Sequence, residues 1–487
     1  MDNEGSMGPS LRSYLLFALV SLCLLVAALQ FSMVSVALGD LMDDLNAPLR
    51  WAGWVVTIYT LAQAVSMPIV GRLSDDLGRR TVFVGGLVVF ALASLACALA
   101  PNVYFLILAR GVQGVAAGGL LPSAYGIIGD TFGQRRAQMV GLLSSIVPLG
   151  SVIGPTVGGF IVDEMGWRWT YAMNTPVGAL VVALLLLMPR TQRRASRPLD
   201  VVGAALLSVA VSGIVYALTE LSRQSPPPSL PVVAVSLAAG LVAGALFLRH
   251  EMRAPEPILE VALLRQREFA FVNALNLLYG ACLFGAFSFI PLYAREAYGM
   301  TSSQAGLILI PRAVAAAVTS AIASMLLART GYRRPIFLGL MVMAGGLAIM
   351  WQGLHSPELG PLALGDFPYL ALVIALTGVG FGMSGPAANN AAIELAPDRI
   401  AAITGLRGMF RLMGGALGTA VMVLVASRAS SVADGLEMGF GGLAMVSAAT
   451  AFLVFGIPDQ VGVAVQPRMA VPGQAPYIVG TEAERRP

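Results

Sequence analysis

The chain has 487 residues, 57% of them hydrophobic and only 11% charged, with a formal net charge of +4. A soluble domain carries about 25% charged residues, so a water-soluble globular fold is excluded and an integral membrane protein is expected. All 30 basic residues are arginine. Without lysine there is no Gly-Lys-Ser/Thr phosphate loop and no Schiff-base chemistry, so any active transport draws on a gradient or a separate subunit.

The two histidines, His250 and His355, fall in separate predicted loops, which leaves no His-rich metal centre; no metal or other cofactor is expected. Cys23, Cys97 and Cys282 sit inside apolar runs and read as buried small hydrophobes, not as a disulfide framework. No nucleophile–base pair or intramembrane acid dyad is visible, against an enzyme. No filter-like sequence or charge ring appears, against a channel. Nothing points to nucleic acid.

A helix needs about 20 apolar residues to cross the hydrocarbon core. Fourteen runs qualify: 14–38, 51–70, 81–100, 103–129, 140–163, 172–189, 200–219, 231–248, 269–293, 304–328, 335–354, 368–393, 401–426 and 439–457. The first is too long for a signal-peptide core and reads as an uncleaved helix. Pro101-Asn102 alone separates the third and fourth runs, which predicts an antiparallel pair. With the amino terminus in the cytoplasm, 21 arginines fall on inner segments and five on outer loops (Arg50, Arg168, Arg223, Arg295, Arg428). Arg110, Arg312, Arg407 and Arg411 remain inside helices. That bias predicts cytoplasmic termini, and an even helix number satisfies it.

The runs divide as six, two and six. The expected organisation is a cytoplasmic tail, 1–13; an amino-terminal bundle, 14–189; two extra helices with their loops, 190–268; a carboxy-terminal bundle, 269–457; and a disordered cytoplasmic tail, 458–487. Gly331-Tyr-Arg-Arg echoes Gly78-Arg79-Arg80, a weak internal repeat of the kind that builds transporters with a midplane site between two halves.

Between the second and third runs stands GRLSDDLGRR, Gly71 to Arg80. Each charge would cost about 3 kcal/mol at a bilayer centre, so the stretch is expected to be a tight turn at the membrane surface. Gly71 and Gly78 permit a tight backbone, Asp75 can face the amino-terminal end of a helix, and Arg79 or Arg80 can pair with Asp130. In the fifth run, Gly150, Gly154, Pro155, Gly158 and Gly159 combine four-residue glycine spacing, which favours close helix approach, with a proline that removes a backbone donor. Arg110 lies about 10 Å inside the outer edge of the fourth run, an intramembrane cation and hence a functional candidate, with Gln113 one turn away.

These strings carry a resemblance. GxLxDxxGRR resembles the signature loop of the major facilitator superfamily, which implies that Gly71, Asp75, Gly78, Arg79, Arg80 and Asp130 latch the two halves in the outward-facing state against helix 13. GxxxGPxxGG resembles the antiporter motif of drug:proton exporters. Leu106–Gly114, LILARGVQG, resembles the family's LxxxRxxQG and implies a part in proton transfer for Arg110. Trp167-Arg168-Trp169 with Asn174, Pro176 and Gly178 resembles WRWxFxxNxPxG of the fourteen-spanner drug:proton antiporters, the EmrB/QacA type; the stretch reads as structural.

The resemblance spans all fourteen runs and is strongest over Gly71–Gly178. It implies an all-α major facilitator fold with 14 transmembrane helices, two six-helix bundles plus two extra central helices. It implies export of lipophilic small molecules by alternating access against inward proton flow, by a monomer in a bacterial inner membrane. By the same analogy the cavity is lined by Gln30, Tyr59, Gln63, Arg110, Gln113, Asn276, Tyr279, Phe284, Arg312, Asn389 and Asn390. Abundant Ala, Gly and Arg without Lys also suggests a GC-rich bacterial genome.

One departure matters. Helix 1 of the family carries LDxTxVNVALP, and here Gln30, which cannot titrate, stands at the aspartate's place. No Asp or Glu lies deep inside any predicted helix, while Arg312 and Arg411 reach near the midplane. Neutral-amphiphilic or anionic cargo is therefore expected over dications. A same-fold exporter of a lipid or a specific metabolite, weakly or not coupled to protons, is the alternative.

Overall fold

In the computed structural model the described residues are 11–132, 135–144, 146–186, 200–254, 258–259, 265–355, 358–359, 362–363, 365–395, 400–457 and 459. The first ten residues and nearly all of the predicted 458–487 tail lie outside this set. Asp459 is the exception: its Oδ1 accepts the Arg333 backbone N–H at 2.8 Å.

The amino-terminal part contains α1 (Leu11–Asp44), α2 (Leu49–Leu77), α3 (Arg79–Ala98), α4 (Val103–Phe132), α5 (Arg136–Ser144), α6 (Ile146–Met165), α7 (Trp167–Ala172) and α8 (Asn174–Leu186). A helical pair, α9 (Val201–Leu221) and α10 (Leu230–Glu251), follows. The carboxy-terminal part contains α11 (Arg267–Phe287), α12 (Ile290–Tyr298), α13 (Ser302–Leu307), α14 (Leu309–Thr330), α15 (Arg333–Trp351), α16 (Asp366–Glu394), α17 (Ile400–Arg428) and α18 (Val432–Phe452). Between α15 and α16 sits a two-residue hairpin, β1 (Glu358–Leu359) and β2 (Leu362–Ala363), antiparallel with Glu358 opposite Ala363. It is a small exception to the expected all-helical chain.

Twelve helices among the described residues are long and apolar enough to cross a membrane, two fewer than the fourteen runs. The runs 140–163 and 172–189 are not among them. They appear as α5 with the 20-residue α6, and as α7 with the 13-residue α8. The predicted span 269–293 also breaks, at Ser288-Phe289, where α11 gives way to α12 with Pro291 in its first turn.

The packing order repeats. α1 packs on α6, α2 on α4, and α3 on both α4 and α8; in the second part α11 packs on α17, α14 on α16, and α15 on both α16 and α18. The pair α9–α10 lies outside both groups, with α9 set against α2 and α17. Trp54 Nε1 donates to Thr219 Oγ1 at 2.7 Å and ties α2 to α9. Lipid tails are as apolar as leucine, so close approach of small residues, not hydrophobic exclusion, must hold such helices together. The α11–α17 seam is a case: a Cβ at Gly414 would strike the Leu277 carbonyl, and one at Gly280 the Arg411 carbonyl.

The stretch Gly71–Arg80 is not a ten-residue turn. Helix α2 runs on to Leu77, and Gly78 alone separates it from α3. Gly78 has φ +95°, ψ 128°, a conformation that costs a side-chain-bearing residue about 1–3 kcal/mol. Gly78→Val is therefore expected to lower the melting temperature of the solubilised protein; an unchanged melting curve would show that the junction absorbs a side chain.

Candidate functional site

The two parts meet most closely at one end of the bundle, the end bearing the α1–α2 turn. Asp163 at the end of α6 accepts the backbone N–H of Ser302 (3.1 Å) and of Ser303 (2.8 Å) at the start of α13. Arg295 on α12 reaches Asp40 (3.0 Å) and Asp43 (2.5 Å) on α1, and Ser302 Oγ donates to Asp40 at 3.0 Å. One apolar cluster runs across both parts, from Leu38, Leu41 and Leu49 to Ile290 and Tyr293. A second, around Phe83, Phe90, Ile128 and Leu143, stays within the amino-terminal part.

The glycine string lies on this closed seam. Gly150, Gly154 and Gly158 face α1, where a Cβ would meet Ala28, Ser32 and Met33 respectively. Gly159 faces α13, where a Cβ would meet the Ser302 carbonyl and come within 2.8 Å of the Ser303 Cα. A Cβ at Gly306 would in turn strike the carbonyl of Pro155. Helix α6 thus touches α1 and α13 backbone to backbone. The ion pairs add less. Arg295, Asp40 and Asp43 are partly solvent-exposed, and exposed pairs contribute about 0–1 kcal/mol. Arg295→Gln is expected to change the alkylation rate of a cysteine placed at this end by no more than about fivefold; a larger change would show the pair, not the glycine contact, to be the main tie.

Trp167, Arg168 and Asn174 serve this end as well. Trp167 Nε1 donates to Asp44 at 3.0 Å, and Arg168 pairs with Asp44, donates to the Ala100 carbonyl at 3.2 Å and lies over the Trp167 ring. Two successive turns of the chain are clamped together. Asn174 donates to the side-chain oxygen of Gln30.

Arg110 is 1% exposed and fully engaged. Its Nε donates to the Val55 carbonyl at 3.0 Å, and Nη1 to Gln113 Oε1 at 2.6 Å. Gln113 Nε2 donates to Ser94 Oγ at 2.7 Å, which donates on to the Phe90 carbonyl at 2.8 Å. The guanidinium lies 4.1 Å from the Tyr59 ring centroid and 5.8 Å from that of Tyr171. Among the described residues no carboxylate pairs with it; carbonyl, amide and aromatic faces carry the charge. Arg110 and Gln30 (0% exposed), both expected to line a cavity, are buried in this conformation. The Gln30 side-chain nitrogen is buried without a partner.

Phe31 bridges the two parts. Its ring is 5.7 Å from Tyr59 on α2 and 5.6 Å, edge-on, from Phe284 on α11. Behind Phe284, Tyr279 stacks on Phe381 at 5.9 Å, donates to the Phe381 carbonyl at 3.4 Å and accepts from Ser384 Oγ at 3.3 Å. Arg312 lies 4.7 Å from the Phe287 ring centroid and 5.7 Å from that of Phe381. Arg411 is half-buried on α17 with its Nε unpartnered, and so is Arg407 one turn before it. Phe31, Phe287 and Phe381 are not among the residues expected from sequence to form the site, and Arg407 is expected only as an intramembrane arginine. The i, i+4 spacing of Arg407 and Arg411 on one helix is the signal that was available.

The remaining candidates scatter. Asn276 Nδ2 donates to the Val272 carbonyl of its own helix at 2.8 Å. Gln63, Asn389 and Asn390 are half-buried, and Asn389 Oδ1 has no partner. On the opposite end of the bundle Arg79 meets Asp130 at 3.0 Å and the Gly126 carbonyl at 2.7 Å. Arg80 is half-buried beside it, and Gly71 packs on Pro122. The Asp75 side chain lies outside the described set.

Known proteins fall on the same pattern. The model of the Major Facilitator Superfamily matches residues 20–419 and 272–476. The chain is similar to the multidrug transporter protein MdtP of Bacillus subtilis, 32% identical over 427 residues, 87% of this chain and 76% of that protein. It is also similar to the methylenomycin A resistance protein of Streptomyces coelicolor, 31% identical over 421 residues, 85% and 86% of the two chains. Among solved structures, a bacterial homolog of the human lysosomal transporter Spinster, inward-facing, matches with a TM-score of 0.67 over 92% of this chain and 97% of that one at 15% identity. The inward-open xylose transporter XylE from E. coli gives 0.62 over 93% and 98% at 11% identity; these two likenesses concern the fold alone. The chain is a multi-pass membrane transporter, not an enzyme, and it belongs to the major facilitator superfamily.

Proposed function

We propose that the protein is a secondary active exporter of lipophilic small molecules in a bacterial inner membrane. Two six-helix bundles and the α9–α10 pair, fourteen spans in all, alternate access to a site between the bundles. The reading is supported by relatives named for multidrug and antibiotic resistance. The observation that carries the mechanism is the tight seam at one end, in which α6 and α13 touch at Gly159 and Gly306. With the arginine-rich loops in the cytoplasm, the sealed end faces outward and the protein stands in an inward-facing state. Gly71–Arg80, with Arg79 now on Asp130, then takes up α17 in the opposite state.

Proton antiport is the first reading of the energy source, with Arg110, Gln113 and Gln30 as its polar centre. A second reading, export without proton coupling, is favoured by the buried, non-titrating Gln30 on Asn174. Purified protein in liposomes, with an imposed pH gradient and a fluorescent amphiphile, separates the two. Antiport requires accumulation that follows the gradient and collapses with a protonophore. Accumulation indifferent to the gradient selects the uncoupled reading, and no movement of amphiphiles of any charge would sink both.

A further inference from the structure

The four intramembrane arginines are not alike. Arg110 is satisfied by the Val55 carbonyl, Gln113 and the Tyr59 face. Two of the three in the carboxy-terminal part are not. Arg407 and Arg411 keep a buried Nε without a hydrogen-bond partner. Arg312 is held by the ring faces of Phe287 and Phe381. Arg312 lies over Phe381, on which Tyr279 stacks, and the Arg411 main chain packs on Gly280 beside Tyr279, with Arg407 one turn before Arg411; the two like charges at i, i+4 repel each other. Among the described residues no carboxylate faces this cluster. Glu394, the acid at the end of α16, is engaged with Tyr332 instead.

Counting at 1.5 Å per residue puts Tyr279, Arg312 and Arg411 near the middle of their spans. Clustered like charges in a low-dielectric interior are unfavourable unless an anion joins them. Aromatic walls around unfilled guanidinium donors suit a molecule with a greasy body and one acidic group.

We propose that Arg312, Arg407 and Arg411, with Tyr279, Phe287 and Phe381, form a binding site for the acidic group of an amphiphilic organic anion. The proposal rests on the exporter reading and names the class of its cargo. The site takes a carboxylate between the guanidinium groups and the hydrophobic body against the rings. A lipophilic cation of the same size is repelled.

The test is equilibrium binding of a fluorescent alkyl carboxylate, its neutral primary amide and a lipophilic cation to the full chain in zwitterionic nanodiscs. The carboxylate is expected to bind at least tenfold more tightly than the amide, and the cation more weakly than both. Arg411→Gln and Arg312→Gln each weaken the carboxylate about tenfold or more and the amide less than twofold; Arg411→Lys recovers part of the difference. Because the Arg411 Nε is buried without a hydrogen-bond partner, Arg411→Gln melts no lower than the wild type, which separates lost binding from lost folding. Adding phosphatidylglycerol identifies the source of the anion: competition assigns the site to a lipid headgroup, and its absence to a dissolved cargo. Equal binding of carboxylate and amide, or variants that weaken both alike, overturns the proposal. Transport of the amide or the cation in liposomes would in that case leave the exporter reading standing.

Discussion

Gly159→Val is expected to abolish export and to leave the sealed end of the bundle open. A Cβ at this position already meets the Ser302 carbonyl and the Ser303 Cα, both main chain of α13, which cannot rotate away as a side chain can. Valine adds two further methyl groups to that contact. Overpacking of this kind costs about 1–3 kcal/mol, on the order of 5- to 150-fold in the balance between sealed and open states. The Asp163 bonds to Ser302 and Ser303 lie one turn along the same helix and separate with it. The native cysteines are all buried, so a single reporter cysteine at position 41, fully buried in the apolar cluster across the two parts, can be read by alkylation. Its modification should accelerate by the same factor while amphiphile export is lost. Unchanged alkylation together with intact export would mean that the seam does not set the conformational balance.

Arg110→Lys is expected to leave a folded protein that transports at least about tenfold more slowly. Lysine keeps a charge, but it loses the planar fork that reaches the Val55 carbonyl and Gln113 together, and its ammonium stacks less well on Tyr59. Each charge-assisted hydrogen bond of this kind contributes roughly 1.5–3 kcal/mol. Arg110→Met goes further and strands Gln113 in an apolar site, so its melting temperature should fall as well. Arg110→Met combined with Gln113→Leu removes both ends of the bond, and a coupling of about 0.5–3 kcal/mol is expected in the double-mutant cycle. Additive losses would show that the two side chains act separately. Normal turnover by the folded fraction of Arg110→Met would reduce the network to a structural one.

Hydrophobic run length was enough to read twelve of the fourteen runs as helices long enough to cross a membrane, because a bilayer leaves a chain few alternatives. Boundaries were less legible. Whether Gly71–Arg80 forms a turn or a helix end depends on Gly78 alone adopting positive φ, which the charges around it do not reveal. The span 269–293 reads as one apolar run, yet Pro291 restarts the helix within it.

The site divides along the same line. Composition, the fourteen runs, the intramembrane arginines and the loss of a titrating residue at position 30 were determined by sequence alone, since residue type and spacing decide them. Tertiary structure alone decided that Gly159 faces α13 and not a lipid, that Arg110 is satisfied while Arg407 and Arg411 are not, and that Phe31 joins the two parts. The physical reason is the helix itself. Its period tells which residues share a face, but which neighbour that face meets, and whether a buried donor finds its acceptor there, is set by helices hundreds of residues away.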